Sequence, residues 1–237
     1  MSRPIELTIH FRSHNHLDVA AMLRELKAFS DALASVSPKL TGWLLKGNTK
    51  AEALLYEAFD EVGPRTAAIA VLKEALKNET DPRIVSIWNG LDGAEGASLQ
   101  YVGRPASETS LVTLRAKPQA FSHDWKAVAE AVQTAARVWS PAVLSVESAS
   151  YFDHKTFKDR PGVGWMVYLP VILSGPQVPE ARAMVPVKDQ DGNPLGTIVV
   201  SVVDGAFSEA NPEHLQIAQA IETRLVDQDF LPRYASL

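Results

Sequence analysis

Two runs of apolar residues spaced by three and four constrain this chain more than any other feature. Val19, Met22, Leu23, Leu26, Phe29, Leu33 and Val36 form the first; Phe121, Trp125, Val128, Val132, Ala135 and Trp139 form the second. That spacing lines one face of an α-helix, and a one-sided apolar helix must be buried against another element. A strand-like stretch precedes each run. Ile5, Leu7, Ile9 and Phe11 alternate with Glu6, Thr8, His10 and Arg12, the period of a half-buried strand, and Ser110 to Arg115 reads the same way. A further strand follows each run, at Trp43 to Leu45 and at Ala142 to Val146, and a tryptophan-bearing strand comes later, near Trp88 and Trp165. The expectation is an α+β fold: a mixed, mostly antiparallel sheet with long amphipathic helices packed on it. It would form one domain over residues 1–237, with halves 1–105 and 106–237 reading as pseudo-repeats.

Turn and cap residues place the remaining elements. Pro38 ends the first long helix. Thr49 and Glu52 have capping-box spacing ahead of a short helix carrying Ala53, Leu54, Leu55, Tyr56 and Phe59. Gly63-Pro64 opens another, with Ile69, Leu72 and Leu76 as its buried stripe. Asp81-Pro82 breaks the chain before a strand from Arg83 to Trp88, and strands at Ala97 to Val102 and Ser110 to Arg115 follow. Asp153 to Gly162 is polar and reads as a mobile surface loop. Trp165 to Leu169 is a strand, and Ala183 to Val187 and Leu195 to Val203 flank a hairpin turn at Asp189 to Asn193. Asn211 caps and Pro212 opens a last helix with Leu215, Ala218, Ile221 and Leu225 on its core face. All five tryptophans read as core residues, those on strands by default and those on the helix by spacing.

Charge and composition exclude several function classes. The net charge is −5, and a mildly acidic chain is a poor general binder of nucleic acid, which requires clustered Lys and Arg. Cysteine is absent, so neither disulfides nor thiolate chemistry enter. No apolar run approaches the roughly 20 residues that span a bilayer. The N-terminus lacks an apolar signal core, and a soluble cytoplasmic protein is the expectation.

No residue set carries a catalytic signature. His10, His14 and His16 suggest zinc, but His10 falls on a strand while the other two fall in the turn before the helix, beside the helix-start residues Asn15 and Asp18. Asp189, Asp191 and Asn193 mimic the start of a calcium loop, yet Val200 stands where such a loop needs its bidentate glutamate. Gly162-Val163-Gly164 lacks the third glycine and the following helix of a phosphate loop. Ser148, Ser150 and His154 are close in sequence and read as polar loop residues. No catalytic residue, metal or cofactor is expected. Acidic turns remain: Asp60 and Glu61, Asp92 and Glu95, and Glu108. If the last three share a rim they form a negative patch able to steer a basic partner.

One set of residues does suggest a family. In order, these are Gly42-Trp43-Leu44-Leu45-Lys46-Gly47, the alanine-rich stretch around Ala51, Tyr56 and Phe59, Gly63-Pro64, Ser86-Ile87-Trp88-Asn89-Gly90, and Gly96-Ala97-Ser98-Leu99. They resemble the bacterial immunity protein family numbered fifty-two, most clearly from the first strand to about Leu114. Its members neutralise toxins of polymorphic toxin and type VI secretion systems. The resemblance implies an α+β fold, no enzymatic activity and a cognate toxin as partner, commonly a nuclease of restriction-endonuclease-like type. The toxin would be neutralised by occluding its active or substrate cleft. The expected toxin surface is the turns bearing Asp60, Glu61, Asn89, Asp92, Glu95 and Glu108, or the loop after Asp153. An effector-loading adaptor or chaperone is a second reading, and a metal-dependent hydrolase using His10, His14 and His16 a third.

Overall fold

The structure, a computed structural model, describes residues 4–13, 18–47, 49–79 and 81–237. Among them nine strands form one sheet: β1 (Ile5–Phe11), β2 (Leu44–Leu45), β3 (Arg83–Trp88), β4 (Ala97–Gly103), β5 (Ser110–Ala116), β6 (Val143–Ser148), β7 (Met166–Leu169), β8 (Ala183–Lys188) and β9 (Pro194–Val200). Their order is β2-β3-β4-β5-β1-β6-β7-β9-β8, and every strand pair is antiparallel. The helices are α1 (Val19–Val36), α2 (Lys50–Ala53), α3 (Thr66–Ala75), α4 (Trp125–Trp139) and α5 (Pro212–Asp227). The α+β class expected from the periodicities is the one found.

Both long helices begin where their side chains can satisfy the free amides of the first turn. Asp18 accepts from the Ala20 amide at 2.9 Å, and Asp124 from that of Lys126 at 2.9 Å. Asn211 does the same for α5, with Pro212 at its first position. α4 ends on Ser140 in the left-handed region at φ 45°, and Pro141 prevents continuation. α1 and α4 pack on each other and on one face of the sheet. Leu23, Leu26, Phe29 and Leu33 from α1 meet Val128, Val132 and Trp139 from α4 over Leu7, Ile9, Leu99, Val112 and Leu114 of the strands. Each such side chain contributes about 1.5–3 kcal/mol by burial.

The opposite face is divided. Over β6, β7 and β9 it is covered by α5, whose Ile221 and Leu225 share a second cluster with Val143, Val167, Leu169 and Val199. Those strands are accordingly buried on both faces. Over β3, β4 and β5 none of the long helices among the described residues covers that face, and the short α2 only borders its β2–β3 end. Burial there alternates along each strand, with Ser86, Trp88, Ser98, Gln100, Thr113 and Arg115 turned outward. β1 sits at the centre, between β5 and β6. From the β5–β1 pair one flank runs β4, β3, β2 and the other β6, β7, β9, β8, so the strand after the long helix is outermost on one side and innermost on the other.

Several local expectations are corrected. The helix after Thr49 stops at Ala53, and Leu55, on the turn beyond it, is 68% exposed. Pro64 lies in a bridge with Phe59 rather than opening a helix, and α3 starts at Thr66. Of its expected stripe only Leu76, just past the helix, is fully buried; Ile69 and Leu72 are half-buried. Trp88 is not a core residue. The pleat that sends Val85 and Ile87 inward sends Trp88 outward, while Trp43, Trp139 and Trp165 are buried. The segment Asp153 to Gly162 is not a surface loop throughout, because Lys155 and Arg160 are buried within it.

Candidate functional site

The six residues expected at the toxin surface fall in three places. Asp60 and Glu61 share a groove with Glu57, Asp31, Lys27 and Arg65. Lys27 pairs with Asp31 and Arg65 with Glu57, and both cations also act on Asp60 at longer range, while Glu61 has no ion pair among the described residues. Asp60 also builds its own turn, accepting from the amides of Val62 and Gly63 at 3.0 Å each. Those bonds hold its carboxyl below the usual range. Asp92 and Glu95 lie on the turn between β3 and β4, where Glu95 is ion-paired with Lys39. Asn89 organises that turn. It is only 5% exposed, donates to the carbonyls of Lys39 and Glu95 at 2.9 Å, and accepts from the Ala97 amide at 2.8 Å. Glu108 lies on the β4–β5 hairpin, paired with Arg104 at 3.2 Å. The seven residues of β4 separate it from Glu95 by about 20 Å. The shared negative rim of Asp92, Glu95 and Glu108 is therefore not formed.

The uncovered face of the sheet carries a groove of about 830 Å³ at its β2–β3 end. Trp88 and Ser98 form part of its floor, and Lys46, Lys117, Asp92 and the Glu6–Arg115 pair (2.6 Å) stand around it. The Trp88 indole nitrogen is buried with no partner among the described residues. Sequence reading missed this groove because Trp88 was assigned to the core.

The polar segment after β6 holds a buried network that sequence reading also missed. Glu222 of α5 is 1% exposed. Its carboxyl accepts from Tyr151 Oη at 2.8 Å and from the amides of Val163 at 3.1 Å and Thr156 at 2.8 Å. Lys155 Nζ donates to the Arg160 carbonyl at 2.8 Å and to Tyr234 Oη at 3.0 Å, and Arg160 donates to the Leu231 carbonyl. Gly162 and Gly164 belong to this packing. A Cβ at Gly162 would meet Glu147 Oε2 at 2.2 Å, and Gly164, at φ 49°, lies against the Glu147 Cβ. The signal was present in the sequence: Glu222 falls at core spacing between Ala218 and Leu225.

Two groups on this side of the sheet are electrostatically displaced. Burial pushes the Glu147 carboxyl up to about 7; Glu222 and Glu6 add to the effect and Lys155 opposes it. Burial, helped by Lys155, pushes His10 down to about 4. His10 stands on β1 against the Tyr234 ring at 5.8 Å, while His14 and His16 lie outside the described residues. The calcium-like triplet builds a hairpin turn: Asp189 accepts from the Asp191 and Asn193 amides at 2.9 and 2.8 Å. Ser148, Ser150 and His154 do converge, on a pocket of about 650 Å³ with Glu209, to which Ser150 Oγ is bonded. Among the described residues no group of three His, Asp or Glu side chains is placed to hold a metal, and no helix is long and apolar enough to cross a membrane.

Comparison with known proteins follows the fold. Pseudomonas aeruginosa T6SS protein PA0821 superposes with a TM-score of 0.55 at 11% sequence identity, over 94% of this chain and 75% of that one, and so shares the fold. No curated protein sequence matches. The profile of the family described as Immunity protein 52 matches residues 13–232, from just after β1 to beyond α5. The match therefore extends well past Leu114, where the resemblance read from the residues weakened. A match over nearly the whole length establishes that the chain belongs to the Immunity protein 52 family.

Proposed function

We propose that this immunity protein acts by binding its cognate toxin and occluding the toxin's active or substrate-binding cleft, and that the toxin is a nuclease. The observation that carries the reading is the family match over residues 13–232. The fold held in common with a protein of a type VI secretion system supports a toxin delivered by such a system. The net charge of −5 supports a partner with a basic, nucleic-acid-handling face. Of the acidic turns, the one bearing Asp60 and Glu61 supports such a contact best, because Glu95 and Glu108 are each directly ion-paired, whereas Lys27 and Arg65 pair with other carboxylates and act on Asp60 only at longer range. No enzymatic step is assigned to the chain; neutralisation needs only a surface complementary to the toxin.

The test is co-expression with the toxin encoded beside this protein, scored by growth, together with DNA cleavage by the purified complex. Growth restored, and cleavage lost along with DNA binding, is the expected result. Growth that stays arrested, with the toxin still captured and delivered to recipient cells, would favour the adaptor reading. A complex that binds DNA without cutting it would replace occlusion by distortion of the toxin from a remote site.

A further inference from the structure

We propose that the groove at the β2–β3 end of the open sheet face receives an extended acidic segment of a partner protein, with two carboxylates seated on either side of one apolar side chain. The groove lies on the face that α5 leaves bare and has a volume of about 830 Å³. Half-buried Trp88 lies at its floor, and Leu91, 37% exposed, stands at its side. Beside it, the turn that leaves α2 exposes Leu54 and Leu55 at 51% and 68%. Exposed apolar side chains gathered at a groove, with charge at the rim, are the pattern of an interaction surface.

Charge sets the sign of the partner. The chain carries −5 overall, yet Lys46, Arg115 and Lys117 line this groove against Glu6 and Asp92. Arg115 and Glu6 neutralise one another at 2.6 Å. Lys46 and Lys117 are exposed and make no ion pair or side-chain hydrogen bond among the described residues, whereas Asp92 has an interaction of its own. Lys46 follows β2 and Lys117 follows β5, so the two lysines stand on opposite sides of Trp88 on β3. With strands about 4.8 Å apart, β2 lies about 5 Å from Trp88 and β5 about 10 Å. An extended peptide presents every second side chain on one face at intervals of about 7 Å. An acidic, apolar, acidic alternation therefore matches the layout of lysine, tryptophan and lysine.

The walls are held by the chain itself. The Lys46 amide donates to the Ser86 carbonyl at 3.3 Å, the Lys117 amide to that of Gly96 at 2.9 Å, and the Gln119 amide to that of Ala94 at 3.2 Å. Asn89 clamps the same β3–β4 turn from inside. A groove already formed loses little further freedom when a ligand enters. Two lysines without ion pairs are too few for nucleic acid, which is held by clustered Lys and Arg on a run of phosphates, and the aliphatic rim suits side chains. This contact goes beyond the toxin-binding reading. That reading asks for a basic face against the turn at Asp60, which borders α1 on the covered side of the sheet. The groove asks for the opposite charge on the opposite face. Peptide binding is measured without toxin, so the two can fail separately.

The experiment titrates the whole isotope-labelled chain with the acetylated, amidated pentapeptide Glu-Ser-Phe-Ser-Glu, and in parallel with Gln-Ser-Phe-Ser-Gln, which keeps the shape and loses the charge. Saturable amide shifts confined to residues 46–47, 88–98 and 115–117 are expected. Affinity should be about tenfold higher for the glutamate peptide than for the glutamine one. The double variant Lys46→Gln, Lys117→Gln, at two exposed positions, should abolish that difference. Trp88→Ala should weaken both peptides by the same factor. Equal affinity of the two peptides, no saturable shift, or a difference that survives in the double variant overturns the proposal. A thymidine trinucleotide that gives the same shifts and binds more tightly than the glutamate peptide would put nucleic acid in the groove and overturn the assignment to an acidic protein segment. A chain that sediments as a dimer, and as a monomer in the double variant, would put a second copy there, with the same consequence.

Discussion

The two flanks of the sheet differ in what lies on their outer face, and that difference separates structure from availability. Over β6, β7 and β9 the outer face is sealed by α5, and its polar groups are drawn into a network centred on Glu222. Over β3, β4 and β5 the same face is half-exposed, with Trp88 at the floor of a groove and its indole nitrogen without a partner among the described residues. Strands on the sealed flank must satisfy two cores at once. Strands on the open flank satisfy one, and the other side remains available to a partner.

The sealed flank should therefore be the fragile one. Glu222→Ala leaves three donors without their acceptor: Tyr151 Oη and the amides of Thr156 and Val163. A loss of about 3–5 kcal/mol in urea unfolding is expected. A loss under 1 kcal/mol would mean that water replaces the carboxyl and that this flank is not sealed.

The Glu147 carboxyl gives the sealed flank a pH signature. Because its native pKa is raised from 4.5 to about 7, the folded protein holds a proton that the unfolded chain has released between those values. This contribution to stability is complete below about pH 4.5 and lost as pH rises through 7. Glu147→Gln keeps the neutral shape, so it should match the parent near pH 4.5 and exceed it by about 3 kcal/mol at pH 8. Denaturation at the two pH values reads this directly, and a difference that does not change with pH would refute it.

The same substitution on each flank gives the finest contrast. Trp165 Nε1 donates to the buried Val202 carbonyl at 3.0 Å, and Trp165→Phe strands that acceptor at a cost of about 1–2 kcal/mol. Trp88→Phe removes a donor that has no partner among the described residues, so a change within about 0.5 kcal/mol of zero is expected. Equal losses at the two positions, measured by thermal or urea unfolding, would erase the distinction between the flanks.

The elements were legible in the sequence where a single periodicity governs them. α1, α4, α5 and β1 follow their apolar spacing and their caps to within a few residues. Side-chain direction on short strands was harder to read. Trp88 looked apolar enough for the core, and only the pairing of β3 with β4 decides which way its pleat faces. The acidic residues were identifiable one by one, but their grouping depends on which end of β4 each occupies. The pocket at Glu209 was least legible. Its walls come from Phe121, Ser148 and Phe207, which are far apart in the chain, and no local pattern joins them. Lys155 and Arg160 looked like loop residues because charge usually marks the surface; here carbonyl groups of the chain accept their protons inside.

The central position of β1 has a consequence for synthesis. Its two neighbours, β5 and β6, pair Ile5 with Ala116 and with Ser148. At a translation rate of about 5–20 residues per second, the first strand waits on the order of ten seconds for its second partner to leave the ribosome. Until β5 pairs, both of its edges are open to other chains, and one stays open until β6 arrives. The sheet closes late and through distant pairings, which slows folding relative to a protein of the same size built from local contacts.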